Sequence, residues 1–195
     1  MMQKPRALVA MLAFLLAVVG VFAYGCTRST SGGVADDGTV VDTELMAFLS
    51  EARALHHQAN IKEEMGDYAG AAAAMERLAR APRPHPEVHS PEVEEVLADA
   101  YARLAELELK RSELTKADDA IRNGLTHAPD TTYFRGHLIE VQGLIEKERA
   151  AQLAANGQLE ESAKAREKAI QLLEEVVRIQ EQVIQRSLSQ REAGR

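Results

Sequence analysis

Three patterns of apolar and polar positions follow one another along the chain. From Ala7 to Tyr24, eighteen residues pass without a charge, behind the basic residues Lys4 and Arg6. From Thr27 to Val41 the run Thr-Arg-Ser-Thr-Ser-Gly-Gly-Val-Ala-Asp-Asp-Gly-Thr-Val-Val has neither a helical nor a strand period, and its Ser, Gly and Asp content is that of a flexible tether. From Asp42 onward, apolar residues recur at three- and four-residue steps, the pattern of helices that each bury one face.

Asp42 or Thr43 can cap a first helix that carries Leu45, Phe48, Leu49, Ala52, Leu55 and Ala59 and ends near Gly66. A second follows at once, with Tyr68, Ala71, Ala72, Met75 and Leu78 on its inner face, and the small residues from Ala71 to Ala74 let helices approach closely. Four prolines between residues 81 and 91 exclude a helix there and predict a stiff extended loop. Ser90-Pro91-Glu92 then offers an N-cap, a proline at the first helical position and an acid for the helix dipole. The third helix carries Val93, Val96, Leu97, Ala100, Tyr101, Leu104 and Ala105; after Arg111-Ser112 a fourth carries Leu114, Ala117, Ile121 and Leu125. Pro129-Asp130 stops it and caps the next.

A fifth helix, roughly 131–155, and a sixth, roughly 158–189, are joined by Asn156-Gly157, a helix stop that tolerates left-handed backbone. The fold class expected is all-α, antiparallel helix pairs stacked as a short α-solenoid with a long C-terminal helix. On that last helix Ala163, Ile170, Leu172, Leu173, Val176, Val177, Ile179, Val183, Ile184 and Leu188 form a band wider than a terminal helix needs. Either both sides of the band pack onto helices four and five, or a second surface is covered from outside, with Leu172, Val176, Ile179 and Val183 as the line along which another helix would pair.

The N-terminal pattern sets the compartment. A basic start, an apolar stretch and a small residue before a cut describe an export signal, which lies outside the fold. At about 1.5 Å per residue the stretch also reaches the lower limit of a membrane span, so an uncleaved anchor is the alternative. The chain has one cysteine, Cys26, so it forms no internal disulfide and no cysteine zinc site. Ala23-Tyr24-Gly25-Cys26 resembles the lipobox of bacterial lipoproteins, departing from it at Tyr24, where that family prefers a small residue. The resemblance implies that residues 1–25 are removed, that Cys26 is acylated, and that residues 26–41 tether a helical domain of residues 42–195 to a membrane, facing the periplasm. Thr27 rather than Asp after the cysteine implies the outer membrane, by resemblance to enterobacterial sorting.

Inside the helical domain, Leu55, Ala59, Gly66-Asp67-Tyr68, Ala71, Met75 and Pro82 resemble the tetratricopeptide repeat, apart from Leu78 where a small residue is usual and a proline one place early. Tyr101, Leu104, Ala105, Ala117, Ile121, Gly124 and Pro129 match the same pattern in full register. Two repeats, about 48–82 and 98–131, are thus followed by a degenerate helix pair, 131–190. A third copy through Ala150, Gly157 and Ala163 would need a much longer first helix. Repeats of this kind bury their apolar faces against their neighbours, which makes Ala59, Ala71, Ala105, Ala117 and Gly124 packing positions. In the family, the first helices of successive pairs line a groove for a partner's peptide or helix. The resemblance puts Arg53, His56, Asn60 and Glu63 there in the first copy, and Asp99, Arg103 and Glu106 in the second. His56 and Arg103 stand where the carboxylate-gripping branch of the family has lysine and asparagine, so that mode of binding is not expected.

Charge and chemistry narrow the class. Losing residues 1–25 takes only Lys4 and Arg6 from 23 basic side chains and leaves all 30 acidic ones, so the net charge goes from −7 to −9. No cluster of Lys and Arg stands ready to release counterions, which argues against nucleic acid. His85 and His89 lie in the proline loop without a third ligand nearby, and His56-His57 points two ways on one helix. The pairs Asp118-Asp119 and Glu174-Glu175 are adjacent on helices, where neighbouring positions do not converge. Without a phosphate loop, nucleophile elbow or zinc-helix motif, no catalysis, metal or cofactor is expected. The expectation is a periplasmic, membrane-tethered scaffold that binds another protein and serves assembly of an envelope complex. The alternatives are a homo-oligomer through the last helix, or a non-catalytic subunit of an envelope enzyme.

Overall fold

The computed structural model describes residues 42–194; residues 1–25, Cys26 and the tether to residue 41 lie outside the described residues. Six helices, and no strand among the described residues, pack as adjacent antiparallel pairs in a solenoid-like arrangement. They are α1 (Thr43–Glu64), α2 (Tyr68–Ala79), α3 (Pro91–Lys110), α4 (Leu114–His127), α5 (Tyr133–Ala155) and α6 (Leu159–Ala193). None of them is long and apolar enough to cross a membrane.

Each pair is closed by the same turn. The amide of Gly66 donates to Glu63 O and that of Asp67 to Lys62 O, both at 2.8 Å, and Ser112 with Glu113, and Gly157 with Gln158, repeat the pattern. This double bond satisfies carbonyls that a helix end leaves open, and it requires a left-handed residue at the turn. Gly66 (φ 77°) and Gly157 (φ 79°) supply it freely, whereas Ser112 (φ 60°) adopts it against its own Cβ. The third pair is therefore built on the plan of the other two. Its first helix, expected over roughly 131–155, spans Tyr133–Ala155 and has 23 residues against 22 and 20 in the other two pairs.

The core runs between the pairs. Ala59, Ala71, Ala105 and Ala117 are fully buried, and their small size lets larger neighbours such as Met75, Leu97, Leu107 and Leu138 fill the remaining space. Burying each such large side chain stabilises by about 1.5–3 kcal/mol. Gly124 marks the closest approach: a Cβ there would lie 2.5 Å from Leu138 Cδ2 and 2.9 Å from Tyr101 Cβ.

Several local expectations change. Tyr68 is exposed instead of facing inward, since it opens α2 at the turn. The loop of residues 81–90 is folded, not extended: the prolines fix only their own φ, and His85 between them turns at φ 46° so that Val88 N donates to His85 O. The ring of His85 reaches back to α1, with Nε2 3.1 Å from Asp42 Oδ1, and this contact raises its pKa. Arg83, from the same loop, meets Glu94 at 2.6 Å, and Glu94 also bonds His127, whose ring stacks on Tyr101. Ser90 precedes α3 without capping it; its hydroxyl donates to Glu92 instead. The cap of α5 is Thr132 rather than Asp130, through a bond from Arg135 N to Thr132 Oγ1. Finally, α6 packs on α5 alone among the described helices, not on α4 as well, because α5 lies between them.

Candidate functional site

The first helices of the three pairs, α1, α3 and α5, neighbour one another in that order, α1 touching α3 and α3 touching α5. Side chains at three- and four-residue steps on each therefore share one face. Asn60 and Glu63 come from α1, Asp99, Arg103, Glu106 and Lys110 from α3, and His137 from α5, and they form one connected polar network. Arg103 is its centre: it pairs with Glu63 and with Glu106 (2.8 Å) and donates to Asn60 Oδ1 at 3.3 Å. Lys110 caps the other oxygen of Glu63.

His137 sits between two carboxylates. Its Nε2 lies 3.3 Å from Glu106 Oε1 and its Nδ1 3.5 Å from Asp99 Oδ1, the latter a charge contact without hydrogen-bond alignment. Asp99 first, and Glu106 second, hold the ring protonated and raise its pKa to about 9. His56, across Asp99 at 3.7 Å, goes the other way: burial lowers its pKa, so it is neutral at pH 7. Burial also opposes ionisation of Glu106, but His137 and Arg103 outweigh it and lower its pKa. At neutral pH the cations Arg103, Lys110 and His137 face the anions Glu63, Asp99 and Glu106, and the face is balanced in charge.

At one end of this network lies a shallow cleft of about 380 Å³. Its apolar floor is Leu49, Val96 and Phe134; Arg53, Glu92 and Glu95 are exposed at its rim, with no ion pair among the described residues. Six of the seven residues expected in the groove, His56, Asn60, Glu63, Asp99, Arg103 and Glu106, thus meet in contact with one another or with a shared partner. Arg53 stands apart at the cleft. His137 escaped the sequence reading because its helix pair was set aside as degenerate; its signal was Tyr133 and His137 at a four-residue step on a helix next to α3.

Two buried carboxylates were also missed. Glu146 on α5 is held by Lys168 of α6 (2.6 Å) and Arg149 (3.3 Å), and Glu108 by Arg111. Both stand at otherwise apolar positions, where a buried charge persists only when paired.

The line Leu172, Val176, Ile179 and Val183, expected to meet an outside helix, is turned inward. Ile179 is buried and the other three half-buried, because Gly136, Gly143 and Ala150 on α5 give α6 room to settle on that side. The apolar residues left outside are Ile170, Val177, Ile184 and Leu188, while Leu173, at the edge of the helix contact, packs against Gly143 of α5. Among the described residues, no three His, Cys, Asp or Glu side chains gather closely enough to hold a metal ion.

Arrangement and chemistry together define an all-helical protein with a preformed polar face. No family model, no curated protein and no solved structure matches the chain.

Proposed function

We propose that this chain is a tetratricopeptide-type scaffold of a bacterial envelope, exported, tethered through acylated Cys26, and facing the periplasm from the outer membrane. Its role is to hold a segment of another protein across α1, α3 and α5 and so to support assembly of an envelope complex. The observation that carries this reading is the convergence of the six groove residues with His137 on one face beside an apolar cleft.

The geometry also bears on how a partner would be held. The ion pairs of the face are already satisfied internally, so a ligand that displaced them would leave charges unpaired, at a cost of several kcal/mol for a desolvated pair. Recognition falls instead on the cleft of Leu49, Val96 and Phe134, with Arg53 and Glu95 at its rim. A photo-crosslinking amino acid at Arg53, and another at Glu95, in the full-length chain in its own cells tests this. One protein captured from both positions, through one mapped segment, is the expected result. Adducts from neither, while the chain is present and folded, would remove the groove from the proposal.

A further inference from the structure

We infer that the outer face of α6 is a second docking surface, and that its occupant is an amphipathic helix of another protein carrying lysine or arginine along one flank of its apolar stripe. In the stack, α3 lies against α2 and α5 against α4, so the second helix of each earlier pair is covered by the first helix of the next. Among the described residues, nothing holds that place on α6. Yet the place is surfaced for a helix: Ile170, Val177, Ile184 and Leu188 follow one another at steps of seven, seven and four residues and share one line, with Leu173 at its edge against Gly143 of α5. Ile170, Val177 and Ile184 are each more than half exposed, at 53, 57 and 57%.

Charge selects the occupant. Glu167, Glu174 and Glu181 recur every seven residues, and Glu174 and Glu181 each stand four residues after Ile170 and Val177, so an acidic ridge runs beside the stripe. All three are exposed, and none has a cationic partner among the described residues; Glu167 accepts only from Gln171 Nε2. Of the cations of α6, Lys164 pairs with Glu160, Lys168 with Glu146, and Arg186 donates to Thr131 O; Arg178 flanks the ridge, four residues after Glu174 and three before Glu181, without an ion pair to either, and Arg166 and Arg191 stand at the two ends of the stripe. On α5, Glu140 and Lys147 lie three before and four after Gly143, whose Cα faces Leu173, and they cancel each other. A second copy docked through the same face would set the ridge against its own counterpart, in a chain that already carries a charge of −7. A helix with a basic flank meets both the stripe and the ridge.

The test places a photo-crosslinking amino acid at Val177, and separately at Ile184, in the full-length chain in its own cells, and maps the adducts by mass spectrometry. The expected adduct joins another protein at a segment with apolar residues at helical spacing and at least two Lys or Arg on one flank. Glu174→Lys with Glu181→Lys should lower its yield at least fivefold with helix content and melting temperature unchanged; should that pair not fold, Glu174→Gln with Glu181→Gln should lower it at least twofold. Adducts with a second copy, with residues 1–41 of the same chain, with lipid or with a segment lacking basic residues would overturn the inference, as would no adduct or a yield indifferent to these substitutions. Arg53→Glu at the groove should leave the α6 adducts unchanged, so either interface can fail without the other.

Discussion

His137→Gln isolates the charge that ties α5 to α3. In the folded chain the ring holds its proton up to a pKa of about 9, through Asp99 and then Glu106, whereas an unfolded histidine titrates near 6.5. A folded pKa above the unfolded one means that the contribution is complete below about pH 6.5 and disappears as pH rises through about 9. At 1.36 kcal/mol per pKa unit, the difference amounts to about 3 kcal/mol at pH 5.5, about 2 kcal/mol at pH 7.5, and nearly nothing at pH 10. These are upper values, because the side chain is a fifth exposed and salt screens its outer part.

The assay is urea denaturation of the full-length chain and of the variant at those three pH values, at fixed ionic strength. Glutamine keeps most of the ring's bulk and a donor toward Glu106, so the gap between the two proteins should shrink steadily with pH. Other titrating groups act on both proteins and cancel in the difference. A gap that stays constant from pH 5.5 to 10, or widens, would show that His137 acts by packing alone and that the two carboxylates do not hold it charged. Direct titration of the His137 ring by NMR gives a second reading, which should show a midpoint well above that of His56, whose pKa burial lowers.

Three further outcomes follow from the same geometry. Ser112→Gly should stabilise the chain by about 0.5–1 kcal/mol, seen as a higher melting temperature, since it removes a left-handed strain that Gly66 and Gly157 avoid in the equivalent turns. Gly124→Ala should destabilise by about 1–3 kcal/mol despite alanine's better helix propensity, because the Cβ of Tyr101 is too rigidly placed to move; an unchanged melting temperature would show that α3 and α5 do not close on that glycine. Cys26→Ser should remove the acyl mass from the mature chain and release it from the membrane fraction, whereas retention in that fraction at the uncleaved mass would favour the uncleaved anchor.

The helices were legible because each uses one apolar stripe. The six stretches, the break at Pro82–Pro91 and the caps at Asp42 and Gly157 all follow from local rules that act within a few residues. Side-chain pairing was not legible in the same way. That His56, Asn60 and Glu63 share a face with Asp99, Arg103 and Glu106 depends on which helices are neighbours, and the repeat resemblance supplied that neighbourhood for α1 and α3 only. His137 lay one pair further on. The last helix failed for a related reason: its apolar band covers both Leu172–Val183 and Ile170–Leu188, and periodicity alone does not say which half meets α5. The choice is made on α5, where Gly136 and Gly143 open a seat for Ile179 and Leu173. The folding of His85 back onto Asp42 depends on a contact across 43 residues, beyond the reach of any local rule.

The two proposed surfaces divide recognition between them. In the network on α1, α3 and α5 the charges are answered from within, Arg103 by Glu63 and Glu106, and His137 by Asp99 and Glu106, and the unpaired charges Arg53, Glu92 and Glu95 stand apart at the cleft rim. Such a network offers a fixed shape beside an apolar floor at Leu49, Val96 and Phe134, whose rim charges, Arg53 against Glu92 and Glu95, are of both signs and largely offset one another at a distance. Along α6 the reverse holds, since Glu167, Glu174 and Glu181 are unanswered and their field extends about a Debye length, roughly 8 Å at physiological salt. Association at α6 should therefore slow as salt rises, with faster encounter for basic segments, while association at the groove should be nearly indifferent to salt. Because the two faces differ in physical mode as well as in place, a salt series on the two sets of crosslinks separates them even when a single partner touches both.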